Sequence, residues 1–173
     1  MKDIFGNTKR AKILLLFLES PSARLTQKQV LLKTKISKAT GVKHLKSLVK
    51  QGLLKLERLG QANIYSLNTE TSVVKQLKIL NTLSNLQRHS IKKGETYLFG
   101  SAARGEDDEH SDIDLLVISK LKREELLGET EKLSKKTGKH INLLLLNPKE
   151  WNELGRKDPA LHERIEKDRI RLP

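Results

Sequence analysis

Cysteine is absent from the 173 residues, which excludes disulfides, zinc–thiolate sites and a thiol nucleophile. Aromatic residues are few: one Trp, two Tyr and three Phe. That is too small a supply for a surface that grips single strands by base stacking. No apolar run approaches the roughly 18 residues that a membrane span needs; residues 13–18 and 143–146 are core-sized. The opening Met1-Lys2-Asp3-Ile4 carries no secretory h-region. The expectation is a cytoplasmic protein with no membrane partner. With 36% hydrophobic and 32% charged residues, the composition is that of a soluble globular chain and not a disordered tail.

Acidic residues are scarce in one half only. Residues 1–90 hold Asp3, Glu19, Glu57 and Glu70 against 17 Lys+Arg, a net of +13, whereas residues 91–173 hold 17 of each sign. The whole positive excess of the chain therefore belongs to the first half. Self-repulsion on that scale is relieved by a polyanion. A membrane surface is the rival polyanion, but it calls for a helix with one strongly apolar face. With so few aromatics, duplex nucleic acid fits better than a single strand.

Residues 8–20 place Ala11, Leu14, Leu15 and Leu18 at helical spacing, with Pro21 just past the end. Thr26 is placed to cap a second helix with Val30 and Leu31 inward, and Ser37 to cap a third that reaches Gln51 before Gly52. Val42, Leu45, Leu48 and Val49 fall on one side of that third helix. The other side presents Lys38, Thr40, Lys43, His44, Ser47 and Lys50, polar and cationic groups suited to base edges and phosphates. Gly41 interrupts the helix at a cost of about 1 kcal/mol against Ala; it either admits close approach to DNA or is simply tolerated. Two strands, 53–58 and 62–67, flank Leu59-Gly60-Gln61 as a hairpin.

Helix, helix, capped basic helix and hairpin in that order resemble the winged helix-turn-helix family over about residues 8–68. The stretch from Ser37 to Leu48 is similar to its recognition helix, and Asn63-Ile64-Tyr65-Ser66-Leu67 to its returning wing strand. The resemblance implies a third helix in the major groove, with Arg58 as the wing contact. Residues 71–89 then read as a connecting helix, with Val73, Leu77, Leu80, Leu83 and Leu86 as an apolar stripe that must be covered. The cover is either the chain's own domains or a second copy in a homodimer.

Beyond residue 91 strands and helices alternate: strands at 95–99, 112–118 and 140–146, a helix over 122–137, and a helical tail. The chemistry lies in Phe99-Gly100-Ser101, ten residues, then Asp112-Ile113-Asp114-Leu115. Strand alternation puts Asp112 and Asp114 on one face, about 6.5 Å apart along the chain. Two carboxylates so placed suit Mg²⁺, which takes substrate phosphates as further ligands. Gly100 lets backbone approach a phosphate, Ser101 opens a helical turn with free amides, and Arg104 offers a cationic handle. Glu106-Asp107-Asp108-Glu109 reads as a solvated acidic loop, and His110 as a surface residue. His140 and His162 have no ligand-like neighbours in sequence, and Trp151 reads as a core residue covering the sheet.

The pattern hGS-x10-DhD resembles the DNA polymerase beta-type nucleotidyltransferase superfamily, and Phe99-Gly100-Ser101-Ala102-Ala103-Arg104-Gly105 is similar to its minimal nucleotidyltransferase (MNT) branch. The resemblance implies that Gly100 and Ser101 hold the triphosphate of ATP or another NTP. It further implies that Asp112 and Asp114 bind Mg²⁺, with a third carboxylate on a later strand. That third position holds Asn142, which brings no charge and cannot act as a base. The expected fold class is α+β in two domains. An N-terminal winged helix (1–68, three helices and a hairpin wing) is followed by a connecting helix (69–91). An α/β nucleotidyltransferase fold with a mixed sheet completes the chain (92–173). The resemblance implies a DNA-binding regulator whose second domain binds Mg-NTP, transferring a nucleotidyl group to a hydroxyl as antitoxins do to HEPN-type toxins. The alternative is a non-catalytic DNA-binding protein whose second domain serves nucleotide sensing, dimerisation or partner binding. Asp112, Asp114 and Asn142 are the candidate catalytic set.

Overall fold

The computed structural model describes residues 8–87, 91 and 94–173. The opening Met1-Lys2-Asp3-Ile4 and the end of the expected connector, Arg88 and His89, lie outside them. Two compact units result, Met1–Lys78 and Ile79–Pro173. No helix among the described residues is long and apolar enough to cross a membrane.

The first unit follows the sequence pattern closely. Helix α1 (Lys9–Glu19) starts at Thr8, whose hydroxyl accepts the Ala11 N–H. A two-residue strand β1 (Leu25–Thr26), invisible to periodicity, leads into α2 (Gln27–Thr34). Thr26 caps α2 with a full capping box, its partner being Gln29. Lys35, at φ 56°, turns the chain into the left-handed region and lets its N–H reach Leu31 O. Helix α3 (Lys38–Lys50) begins at Ser37, but no cap forms there: the Ser37 hydroxyl donates to Thr40 Oγ1 at 3.1 Å instead. The hairpin pairs β2 (Leu54–Leu59) with β3 (Ala62–Leu67) across Gly60-Gln61, and β1 adds to β3, giving the order β1-β3-β2.

Gly41 faces inward, not outward. It is buried, and a Cβ there would overlap Leu31 Cδ2 and come within 3.7 Å of Ile36 Cγ2. The missing side chain thus serves the close approach of α2 to α3, not contact with DNA. Along α3, Leu45 and Leu48 are buried with it, whereas Val42 and Val49 are only partly covered.

Helix α4 (Ser72–Gln87) corrects the expected stripe at its start: Val74 is buried, and Val73 stands 58% exposed. Val73 and Leu77 border an apolar groove of about 320 Å³ with Leu14, Leu18 and Leu53, so among the described residues that end of the stripe is left uncovered. Farther along α4, Leu83 and Leu86 join the core of the second unit.

That unit is a four-stranded mixed sheet in the order β6-β5-β4-β7. Its strands are β4 (Glu95–Phe99), β5 (Ile113–Ile118), β6 (Ile141–Leu146) and β7 (Ile170–Arg171); β5 runs antiparallel to β4 and parallel to β6. Short helix α5 (Gly100–Arg104) follows β4 directly. The expected helix over 122–137 is a 3₁₀ turn, Arg123–Glu125, and then α6 (Leu127–Thr137). The helical tail is two helices, α7 (Pro148–Lys157) and α8 (Pro159–Asp168), each with proline in its first turn. It ends as strand β7 against β4, which the sequence reading assigned to helix.

Alternation along β5 explains the two cores. Ile113, Leu115 and Val117 belong to one core, whereas Leu116 and Ile118 pack with Phe99, Leu144, Leu154 and Ile165 on the other face. Trp151 packs against that second core, as its reading as sheet cover requires.

Candidate functional site

Asp112 and Asp114 continue the Leu116–Ile118 side of β5 by the same period of two, so they project beyond the apolar part of that face. Register then supplies their neighbours. Asp114 lies opposite Phe99 on β4 and opposite Asn142 on β6. The Asn142 amide Nδ2 donates to Asp114 Oδ1 at 2.7 Å. The chain leaves β4 at Gly100, whose φ of +74° suits glycine, and a Cβ there would overlap the Asp114 carboxylate. Backbone at the Gly100–Ser101 bend therefore lies directly against one of the two acids. Gly100 is buried, Ser101 and Asp114 are half-buried, and Asp112 is exposed.

His140 enters unforeseen. Its Nδ1 lies 3.5 Å from Asp112 Oδ2, because the parallel pairing of β5 with β6 brings residue 140 alongside residue 112. The sequence carried a faint signal of this: His140 precedes Asn142 by the same two residues that separate Asp112 from Asp114.

Arg104 is already engaged. Its Nε donates to Glu106 Oε2 at 2.9 Å and its Nη1 to Asp168 Oδ2 at 2.7 Å. These two hydrogen bonds, that to Glu106 the stronger influence, push the guanidinium further up. A phosphate at the bend must compete with both carboxylates for this cation.

The acidic loop is not the solvated segment that its composition suggests. Asp107 is 6% exposed and forms an ion pair with Lys139. Asp108 Oδ1 accepts from the Ser111 hydroxyl and N–H at 2.8 Å each and from the His110 N–H at 2.9 Å. Those bonds, the hydroxyl first, hold the Asp108 carboxyl below the usual carboxylate range. His110 is exposed, as expected of a surface residue. His162 stacks beside Trp151, with ring centroids 5.3 Å apart.

No group of three or more His, Asp or Glu side chains among the described residues is gathered as a ready metal cage. The donors present are two carboxylates with an amide beside them, and the glycine leaves open the space a side chain would fill. That set fits Mg²⁺ held by one or two carboxylates and otherwise by water and phosphate oxygens.

On the first unit, Lys38, Lys43 and Lys50 stand exposed along α3, with Thr40, His44 and Ser47 half-buried between them. Two acids of this unit are engaged elsewhere: Glu57 pairs with Arg24, and Glu70 with Lys55 at 2.7 Å. Arg58 is exposed on β2 opposite Asn63.

The sequence pattern of the family described as Nucleotidyltransferase domain matches residues 75–172. No curated protein sequence matches the chain. Among solved structures, reduced HlyU from Vibrio cholerae is 23% identical, covering 45% of this chain and 77% of its own, with a TM-score of 0.37. The homodimeric winged helix-turn-helix DNA-binding domain of Mb0332 from Mycobacterium bovis is 22% identical, covering 47% and 71%, with a TM-score of 0.38. A tri-AMPylated HEPN toxin in complex with an MNT antitoxin, from Shewanella oneidensis, is 19% identical, covering 57% and 71%, with a TM-score of 0.32. All three are distant likenesses.

Proposed function

The chain belongs to the nucleotidyltransferase domain family, and from that premise we propose that its second unit binds a Mg²⁺-complexed nucleoside triphosphate while its first unit, a winged helix, binds duplex DNA. The observation that carries the nucleotide reading is the contact between Gly100 and the Asp114 carboxylate. It joins a phosphate-accepting bend to an acid pair in one place. Asp112 and Asp114 would hold the metal, and Gly100 and Ser101 would face the phosphates. The ion supplies charge neutralisation of the polyphosphate when bound.

The finer reading is nucleotidyl transfer to a hydroxyl, with a HEPN-type toxin as acceptor. There the acceptor oxygen bonds to the α-phosphorus, the bond to the β-phosphate oxygen breaks, and pyrophosphate leaves. The hydroxyl proton passes to solvent water and not to Asn142, because an amide cannot take it. Asn142 instead orients Asp114 through its Nδ2. That bond favours the second reading, in which the unit senses nucleotide without chemistry. Incubation with labelled ATP, Mg²⁺ and acceptor proteins separates them: transfer labels an acceptor, whereas sensing gives uptake alone. Equal uptake by the parent and an Asp112→Ala/Asp114→Ala variant would end both readings of this unit.

DNA binding is supported by the charge of the first half and by the exposed lysines of α3. A nucleotide-responsive regulator of its own operon is the function that unites the two units. Mobility-shift titration with and without Mg-ATP tests it, and an affinity indifferent to the nucleotide counts against the coupling.

A further inference from the structure

We propose that Lys139 and Asp107 are positioning residues of the nucleotide site, a role that rests on the nucleotide-binding reading above. Residues 106–112 join α5 to β5 without helix or strand, yet they end on Asp112. Irregular connections of this kind are mobile unless tied down. The ties come from the residues that lead into and open β6, position by position. Lys139 Nζ forms an ion pair with the Asp107 carboxylate and donates to the Asp108 carbonyl. His140 O accepts the Ile113 N–H at 2.9 Å, and its ring nitrogen lies 3.5 Å from Asp112. Asn142 donates to Asp114. One short segment thus meets the loop, the first acid and the second acid in order.

Burial distinguishes the first tie from the others. The Lys139 and Asp107 side chains are 17% and 6% exposed, against 74% and 53% for His140 and Asp112. An exposed pair holds geometry weakly and is screened by salt. A buried pair leaves a stranded charge if one partner is lost, so its geometry is strongly maintained.

The anchor is itself fixed before it reaches the loop. The Ser134 hydroxyl at the end of α6 donates to Lys139 O at 2.8 Å, and the Lys139 N–H donates to Thr137 Oγ1 at 3.3 Å. On the loop side, Asp108 gathers His110 and Ser111, the last residues before Asp112. At the other end, Glu106 N–H donates to Ser101 O at 2.9 Å. The connection therefore runs from α6 through Lys139 into a loop whose two ends are the phosphate bend and the acid pair. The pair's role is to set the separation of those ends.

The test compares the full chain with Lys139→Met/Asp107→Ala, which removes both charges and strands neither, and with Lys139→Arg. Three quantities are read: thermal midpoint, hydrogen exchange of a peptide covering 106–112, and Mg-ATP affinity by calorimetry. The double variant is expected to keep its thermal transition, to exchange faster in that peptide, and to bind Mg-ATP about 10- to 100-fold more weakly, the range for outer-shell partners of metal sites. Lys139→Arg, which keeps the charge opposite Asp107, is expected to retain most of the parent affinity. Unchanged exchange, or parent-like affinity in the folded double variant, overturns the role. Unfolding of the double variant overturns it too, by assigning the pair to stability alone. If the parent chain itself takes up no Mg-ATP, the nucleotide reading fails first and this role falls with it.

Discussion

Replacing Gly100 with alanine probes the contact on which the nucleotide reading stands. Two costs add. Alanine at φ +74° must occupy the left-handed region, at roughly 1–2 kcal/mol. Its Cβ also overlaps the Asp114 carboxylate, which has to rotate away and give up the hydrogen bond from Asn142; for a half-exposed group that forfeits about 1 kcal/mol. The sum is about 2–3 kcal/mol, which for a unit of this size lowers the thermal midpoint by about 10 °C or more. The cleaner measurement is a double-mutant cycle with Asp114→Ala. Once the carboxylate is gone only the backbone cost remains, so Gly100→Ala should be about 1 kcal/mol milder in that background. Chemical denaturation of the four proteins gives the coupling directly. Mg-ATP titration of the single variant should show lost binding, since the bend and the acid no longer share one space. A coupling indistinguishable from zero would show that the glycine does not support Asp114, and the geometric basis of the site would be gone.

Three further outcomes follow from other parts of the molecule. Lys43→Ala should weaken binding to every duplex alike and reduce the slope of log affinity against log salt by about 1; binding indifferent to salt would exclude phosphate contacts by α3. Gly41→Ala gains about 1 kcal/mol of helix propensity but forces Leu31 aside, at about 1–3 kcal/mol for overpacking. It should therefore destabilise the first unit, and Leu31→Ala should reverse the sign; a stabilised single variant would contradict the close approach of α2 to α3. Asp108, held below the ordinary carboxylate value of about 3.9 by the Ser111 hydroxyl first, contributes stability that is complete above that value. The contribution is lost as pH falls through the lower folded value, so acidification should cost the parent more thermal stability than Ser111→Ala. Parallel pH profiles would refute that assignment.

Much of the architecture is legible without coordinates because its signals are local. Thr8 and Thr26 cap helices within three residues of themselves, and the apolar periods of α1, α3, β4 and β5 repeat within a few residues. The hydropathy pattern could not reveal β1 and β7: each is two residues long and exists only because β3 or β4 offers a free edge. Nor could periodicity choose between Val73 and Val74 as the inward residue of α4, since adjacent valines give the same pattern and only packing separates them.

The candidate site divides along the same line. The glycine–serine bend and the paired acids are written in the chain, because a strand's period of two and a glycine's conformational range are properties of adjacent residues. Their chemical surroundings are not. Arg104 meets Asp168 across 64 positions, Lys139 meets Asp107 across 32, and Asn142 meets Asp114 across 28. Those partners are fixed by how the strands align and how α8 returns to α5. The sequence alone placed the positive charge in the first half and put two acids on one face of a strand. Tertiary structure decided that Gly41 faces a neighbouring helix, that an acidic loop is pinned by a lysine, and that Asn142 holds Asp114. Each depends on which distant segments share a surface, a long-range property that no local pattern encodes.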